Sequence, residues 1–319
     1  MEQAQYKQLL ASLEGLTDTQ LAELLQSMRQ RQEADGVQRL LMVRMAEQGG
    51  CPHCQSSRMV KHGIEFNAQR FRCKDCGKTF TATTGTPLHR LRDKSKLLEN
   101  AACMADGLSV RKTAARIDIS VQKAFRWRHK FLALLNGQKP TALTGIVEAD
   151  ETFFPVSYKG ARQGMPRQAK KRGGKAKDGS GTDKTTVLVA VQRGTQVAFD
   201  QVLTQGTAQA LTEALRPVLG ADAVLSTDGN ASYWTVAKEL KVQSGFFVSN
   251  HHGKGGNGPW HVQSVNRYDS SLKSWMTRFR GVAIKYLANY LGWRRLLDRF
   301  KDNLTPQQFL FHALRTTYQ

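Results

Sequence analysis

Two aspartates and a short run near the C-terminus have the residue types and spacing for metal chemistry. Asp150 lies in a strand-like stretch from Ile146 to Phe154, and Asp228 ends a second one, from Ala223 to Asp228. The run Val265-Asn266-Arg267-Tyr268-Asp269-Ser270-Ser271-Leu272-Lys273 reads as a helix, with Asn266 at its start. Oxygen ligands brought together from two strands and one helix are what a pair of hard divalent cations needs to act on a phosphodiester. Around Asp150 the strand alternates, so Glu148, Asp150 and Thr152 share one face and Glu151 points away. Glu148 and Glu151 are rivals of Asp150 on this strand, and Asp269 is the rival of Asn266. Lys273 follows Asn266 by seven residues, close to two helical turns, so both share a face where a cation suits a phosphate.

A second constellation is made of cysteines. Cys51-Pro52-His53-Cys54 and Cys73-Lys74-Asp75-Cys76 form two CxxC knuckles that use four of the five cysteines. Their separation matches a four-thiolate tetrahedral zinc site, so one structural Zn²⁺ is expected on Cys51, Cys54, Cys73 and Cys76. His53 is then a turn residue, because four thiolates complete the shell. Arg70-Phe71-Arg72 and Lys78-Thr79-Phe80 read as short ribbon strands, and Cys103 as a small buried hydrophobe.

Composition bounds the partners. The 319 residues carry a formal charge of +21, with a pI near 10 and 40% hydrophobic content. That excess points to a polyanion such as nucleic acid, and the length allows two or three domains with their own cores. No apolar run is long enough for a membrane span, and Met1-Glu2-Gln3-Ala4-Gln5 lacks the basic start and apolar run of a signal peptide. A cytoplasmic location with reduced cysteines is expected.

Periodicity supplies the scaffold: a multidomain α+β chain. Residues 1–48 read as an N-terminal helical segment. Thr17 and Gln20 form a capping box, Leu21, Leu24 and Leu25 give one apolar stripe, and Val37, Leu40, Leu41 and Met45 give a second. A zinc ribbon follows over 49–92. Residues 93–136 read as a helix-turn-helix: a helix over 109–117, a turn at Asp118-Ile119-Ser120, and a second helix. Val121, Ala124, Phe125, Phe131 and Leu132 are expected on the inner face of that helix. Gln122, Lys123, Arg126 and Lys130 are expected on its outer, DNA-reading side.

After a linker at Gly137-Gln138-Lys139-Pro140, residues 141–300 form the catalytic domain, and 301–319 a C-terminal helical tail. A basic insertion over 159–184, including Lys170, Lys171 and Arg172, is too poor in apolar residues to build core and is expected to hold DNA phosphates. The order of elements is three strands, helix, strand, helix, strand, helix. That is the order of a ribonuclease-H-like α/β fold with a mixed sheet, which brings the ends of its first and fourth strands together. His251, His252 and His261 flank a Gly-rich loop, 253–258; a general base is one reading of them, and loop surface or a DNA contact the more ordinary one.

The chain resembles bacterial insertion-sequence transposases that combine a zinc ribbon with a DDE-type catalytic domain. The resemblance covers nearly the whole chain. It rests on the paired knuckles, on Thr84-Gly85-Thr86-Pro87-Leu88, on Val147 to Phe153 and on Ser226-Thr227-Asp228-Gly229. It rests equally on Val265-Asn266, Leu272-Lys273, Phe279-Arg280-Gly281-Val282 and Lys285 to Leu291. The resemblance implies metal-dependent cleavage and strand transfer of a DNA element at its terminal inverted repeats. It implies two Mg²⁺ on Asp150, Asp228 and Asn266, with Mn²⁺ able to take their place, and Lys273 accompanying the triad. Asn266 stands where many such enzymes carry Glu. The amide oxygen remains a competent hard-cation ligand, with one fewer negative charge facing the metals. The implied partners are the terminal repeats, target DNA and at least one further copy of the chain, in a nucleoid-associated location and with no membrane. Two other classes stand beside this one. A sequence-specific regulator with an inactive catalytic domain is favoured only by Asn266. A junction resolvase is disfavoured by the dedicated N-terminal modules.

Overall fold

The computed structural model describes residues 3–13, 15–65, 68–160, 184–195, 197–247 and 260–314. The chain divides into two units, Met1–Phe131 with Leu304–Arg315, and Leu132–Asn303 with Thr316–Gln319.

In the first unit, helix α1 spans Gln3–Leu13 and α2 spans Asp18–Gln48. Both arms of the expected capping box are formed: Thr17 Oγ1 accepts from Gln20 N, and Gln20 Oε1 accepts from Thr17 N. The two apolar stripes of residues 1–48 therefore lie on one helix, but they differ in burial. Val37, Leu41 and Met45 are buried, whereas Leu21 and Leu25 are exposed. Gly49 ends α2 at φ 68°, a left-handed conformation that costs glycine little. An antiparallel sheet follows, β1 (Met59–Glu65), β2 (Ala68–Cys73) and β3 (Thr79–Thr81). Phe71 and Phe80 face each other across it with rings stacked at 5.9 Å. Beyond it come α3 (Leu97–Ala105), α4 (Val110–Arg116) and α5 (Val121–Asn136).

The second unit contains β4 (Ile146–Pro155), β5 (Lys184–Gln192), β6 (Ala198–Leu203), α6 (Ala208–Leu215) and β7 (Val224–Asp228). It continues with α7 (Ala231–Leu240), β8 (Gln243–Phe247), α8 (Gln263–Thr277) and α9 (Leu287–Phe300). The five strands form one mixed sheet in the order β6-β5-β4-β7-β8. The β4–β5 and β5–β6 pairs are antiparallel, and the β4–β7 and β7–β8 pairs parallel. This is the ribonuclease-H-like topology expected from the order of elements. Alternation along β4 divides its side chains between two layers. Val147 and Ala149 join Leu211, Leu215, Tyr233 and Val236 in a core under α6 and α7. Glu148 points to the opposite layer, where it meets the start of α8.

The last helix, α10 (Pro306–Leu314), packs on α2 and α3 in the first unit. Arg44 on α2 donates to Ala82 O at 2.6 Å and also to Leu314 O, which ties the exit of the ribbon to α10. Among the described residues, no helix is long and apolar enough to cross a membrane.

Candidate active site

Parallel pairing of β4 and β7 creates the site. Ala149 is in register with Thr227, so Asp150 and Asp228 each follow the last registered pair on adjacent strands. Asp150 Oδ1 accepts from Glu151 N at 2.7 Å, and Asp228 Oδ1 accepts from Asn230 N at 3.1 Å. Asn230 in turn caps α7 through Ser232 N. On α8, Asn266, Asp269 and Lys273 recur at helical spacing. Asn266 and Lys273 are exposed, whereas Asp269 is only 7% exposed. Its buried Oδ1 makes no hydrogen bond of regular geometry, and the Thr152 hydroxyl is the group that faces its carboxyl.

Glu148 has a different occupation from the one its strand face suggested. It is fully buried and accepts from Arg193 Nε at 2.7 Å, Ser264 N at 2.6 Å and Val265 N at 3.2 Å. The last two are orphan N–H groups in the first turn of α8, where a carboxylate also meets the positive end of the helix dipole. Val262, the N-cap residue itself, supplies no side-chain cap. His261, which its loop position marks as a surface residue, a DNA contact or a general base, belongs instead to this cluster. Its Nδ1 lies 3.2 Å from Glu148 Oε1, and its carbonyl accepts from Ser226 Oγ at 2.9 Å and Arg193 Nη2 at 3.1 Å. His251, His252 and loop 253–258 fall outside the described residues.

The acids crowd one another. Burial raises Asp150 from its ordinary value, helped by the charge of Asp228 and opposed by the Glu151 N–H and by Lys273. Burial pushes Glu151 up to about 7, reinforced by Asp150 and Asp228. Burial likewise pushes Asp269 up to about 7, against the pull of Lys273 and with repulsion from Asp150. Tyr233, buried beside Glu151, keeps its proton far above its ordinary value because of burial and these same carboxylates. Asp150 and Asp269 thus share the one lysine, Lys273, while Asp228 and, from the other face of β4, Glu151 add negative charge beside Asp150. That donor set fits divalent cations, which take oxygen ligands and compensate such a charge deficit.

Two more elements steady α8. Lys159 Nζ donates to the carbonyls of Phe279 at 2.9 Å, Arg280 at 3.2 Å and Gly281 at 2.9 Å. The first residue of the expected basic insertion thus holds the turn after α8, while Lys170, Lys171 and Arg172 fall outside the described residues. Beside that turn, Trp275, Phe279, Tyr290 and Trp293 pack as tilted and edge-on rings between α8 and α9, which gives the Phe279-Arg280-Gly281-Val282 motif a packing role.

In the first unit the four knuckle sulfurs converge. All lie within 4.8 Å of one another, with Cys51 to Cys76 at 3.7 Å and Cys54 to Cys73 at 3.6 Å. A tetrahedron with Zn–S bonds of about 2.3 Å has edges of about 3.8 Å, so the four residues fit zinc. The two knuckles repeat one backbone turn: Gln55 N donates to Cys51 O at 2.8 Å, and Gly77 N to Cys73 O at 3.1 Å. Backbone N–H groups of Cys76 and Asp75 favour the thiolate of Cys73, while the neighbouring sulfurs hold the Cys54 thiol up, as expected of sulfurs packed this closely. His53 packs edge-on against Phe80.

On α5 the observed faces differ from those expected. Ala124, Trp127 and Phe131 are buried, but Val121 and Phe125, expected inside, are exposed beside Gln122 and Arg126. The helix starts on the Ser120 cap, and its first turn stands clear of the core that holds Ala124 and Trp127. Lys123 is engaged by Asp93 and lies over the Trp127 ring, and Lys130 is half-buried. Arg128 is buried and donates to Leu108 O at 2.5 Å, a tie the sequence did not reveal.

The sheet order and the acids on β4 and β7 place the second unit in the ribonuclease-H-like class. Residues 142–294 match the family described as ISXO2-like transposase domain. Over 253 residues the chain is 30% identical to a Halobacterium salinarum protein named "Uncharacterized protein in transposable element ISH50", covering 76% of this chain and 82% of that one. It is also 32% identical over 77 residues to "Insertion element iso-IS1N protein InsA" of Shigella dysenteriae, covering 24% of this chain and 82% of that one. The chain belongs to the insertion-sequence transposases with this domain. Among solved structures it resembles the catalytic core domain of BIV integrase at 16% identity and TM-score 0.30, covering 50% of this chain and 90% of that one. A simian T-cell lymphotropic virus intasome in complex with the PP2A regulatory subunit B56 gamma gives 9% identity and TM-score 0.30, covering 61% and 66%. Both likenesses are too distant to add to the topology.

Proposed function

We propose that this chain is a metal-dependent DNA transposase that binds the terminal inverted repeats of its own insertion sequence, cleaves the strands there and joins them to target DNA. The observation that carries this reading is the crowded carboxylate cluster formed where β4 and β7 end beside α8, inside a transposase domain.

Asp150, Asp228 and Asn266 would hold two Mg²⁺, or Mn²⁺ in their place. Such ions, when bound, supply Lewis-acid activation of the attacking oxygen and charge stabilisation of the leaving one. Lys273 offers a cation to the phosphate from the same helix face. Asp269 adds a carboxylate beside Asp150. Glu148, Arg193 and His261 hold the start of α8 and so fix where Asn266 stands.

In the first unit, the zinc-bound knuckles fold the ribbon, and α4 with α5 form the helix-turn-helix that reads the DNA ends. Lys170, Lys171 and Arg172 would contact phosphates without reading sequence. Both ends must be handled together, so the working form is a dimer or larger assembly.

The test is cleavage of a duplex carrying the repeats that bracket the gene. Mg²⁺-dependent cuts at the repeat boundary, absent in Asp150→Ala, are expected. Specific binding by the unaltered chain with no cleavage in either Mg²⁺ or Mn²⁺ would instead assign it as a regulator.

A further inference from the structure

We propose that Val121 and Phe125 form an apolar reading surface for thymine methyl groups in the DNA ends, and so set part of the sequence preference. This rests on the reading of α4 and α5 as the DNA-reading pair.

Val121 is 50% exposed and Phe125 is 41% exposed, although both are large and apolar. They stand four residues apart in the first turns of α5, so they lie on one face. The buried face of the same helix is already supplied by Ala124, Trp127 and Phe131. The buried core therefore does not use the exposed parts of the two side chains, and leaving that apolar area in water carries a cost.

Their neighbours indicate what covers them. Gln122 and Arg126 are exposed in the same two turns, and Arg111 and Lys112 are exposed on α4. Such a rim suits a polyanion better than a neutral protein surface. Phe125 meets the His129 ring edge-on at 4.4 Å, which restricts its orientation. In a helix-turn-helix, the first turns of the second helix approach base edges in the major groove. The apolar feature presented there is the C5-methyl of thymine, while Gln and Arg pair with adenine and guanine. The first turns of α5 thus carry partners for three of the four bases.

The experiment uses the full-length zinc-loaded chain and the duplex it enriches most from a randomised pool. That duplex is remade with uracil in place of thymine, which removes only the methyl groups. Binding should weaken about 3- to 10-fold, as expected for one or two lost methyl contacts. Val121→Ala and Phe125→Ala should weaken binding to the thymine duplex similarly, yet add little on the uracil duplex. Arg126→Ala should lower discrimination against random DNA on both.

Equal binding of the two duplexes, with Arg126→Ala still losing discrimination, overturns the proposal and leaves the helix-turn-helix reading standing. Equal losses by the two alanine variants on both duplexes also overturn it, and assign the two residues to a DNA contact other than the methyl groups or to holding α5 in place. If no sequence is enriched, or Arg126→Ala changes nothing, the underlying reading of α5 fails as well. The uracil comparison needs no variant, so a folding defect cannot mask the result.

Discussion

Glu148 accepts a hydrogen bond from Ser264 N at 2.6 Å, so a strand carboxylate two residues before Asp150 caps the helix that carries Asn266 and Lys273. One residue thereby links the two elements whose ends must meet.

Removing Glu148 should therefore unsettle the site from beneath. Glu148→Ala leaves Arg193 and two helix N–H groups without their shared acceptor in a buried setting. Loss of one partner of a fully buried pair costs about 3–5 kcal/mol; here the loss should be smaller, because Arg193 is partly exposed and keeps the His261 carbonyl. Glu148→Gln, which retains one acceptor oxygen, should cost less. Urea denaturation of the three proteins gives the order, and equal stability of Glu148→Ala and the parent would contradict it.

Asp150→Ala and Asp228→Ala should each abolish strand cleavage while leaving end binding nearly intact. Asn266→Ala should cost far more activity than Asp269→Ala, and Asn266→Asp should retain some. Cleavage assays paired with gel-shift binding measure both quantities. The reverse order for Asn266 and Asp269 would make the buried carboxylate the third ligand.

Purified chain should contain one Zn²⁺, and the Cys73→Ser, Cys76→Ser double variant should lose it, because two thiolates cannot close the tetrahedron. Elemental analysis reads this directly. Full zinc content in the double variant would refute the assignment.

Without Mg²⁺, the zinc-loaded chain should lose stability as pH rises. Glu151 and Asp269 titrate at about 7 in the fold, above their ordinary 4.5 and 3.8. Across that interval the folded state binds more protons than the unfolded chain, so stability falls as pH rises through it and levels off above about 7. Zinc-loaded protein in Mg²⁺-free buffer should thus melt higher at pH 5 than at pH 8. Glu151→Gln or Asp269→Asn should flatten the difference, and Mg²⁺ should raise the melting temperature at pH 8 more than at pH 5.

The features settled within a short stretch of chain were legible from sequence. The Thr17–Gln20 box closes over three residues, and each zinc knuckle folds within one turn. Alternation along β4 put Asp150 and Glu148 on one face, and the order of strands and helices led to the observed topology. These follow from backbone periodicity and ligand spacing, which need no distant partner.

What a side chain meets on its face was decided by segments far away along the chain. Glu148 could have been a metal ligand until α8, 116 residues on, brought its first N–H groups to that carboxylate. Lys159 belonged to a basic stretch until its ammonium found three carbonyls beyond α8. Val121 and Phe125 carried an inward pattern, yet the core was filled by Ala124, Trp127 and Phe131. The sequence by itself determined the metal knuckles, the Thr17 and Ser120 caps and the order of strands and helices along the chain. Only the tertiary structure decided which carboxylate holds a helix and which apolar residues stay in water, because burial depends on what arrives opposite.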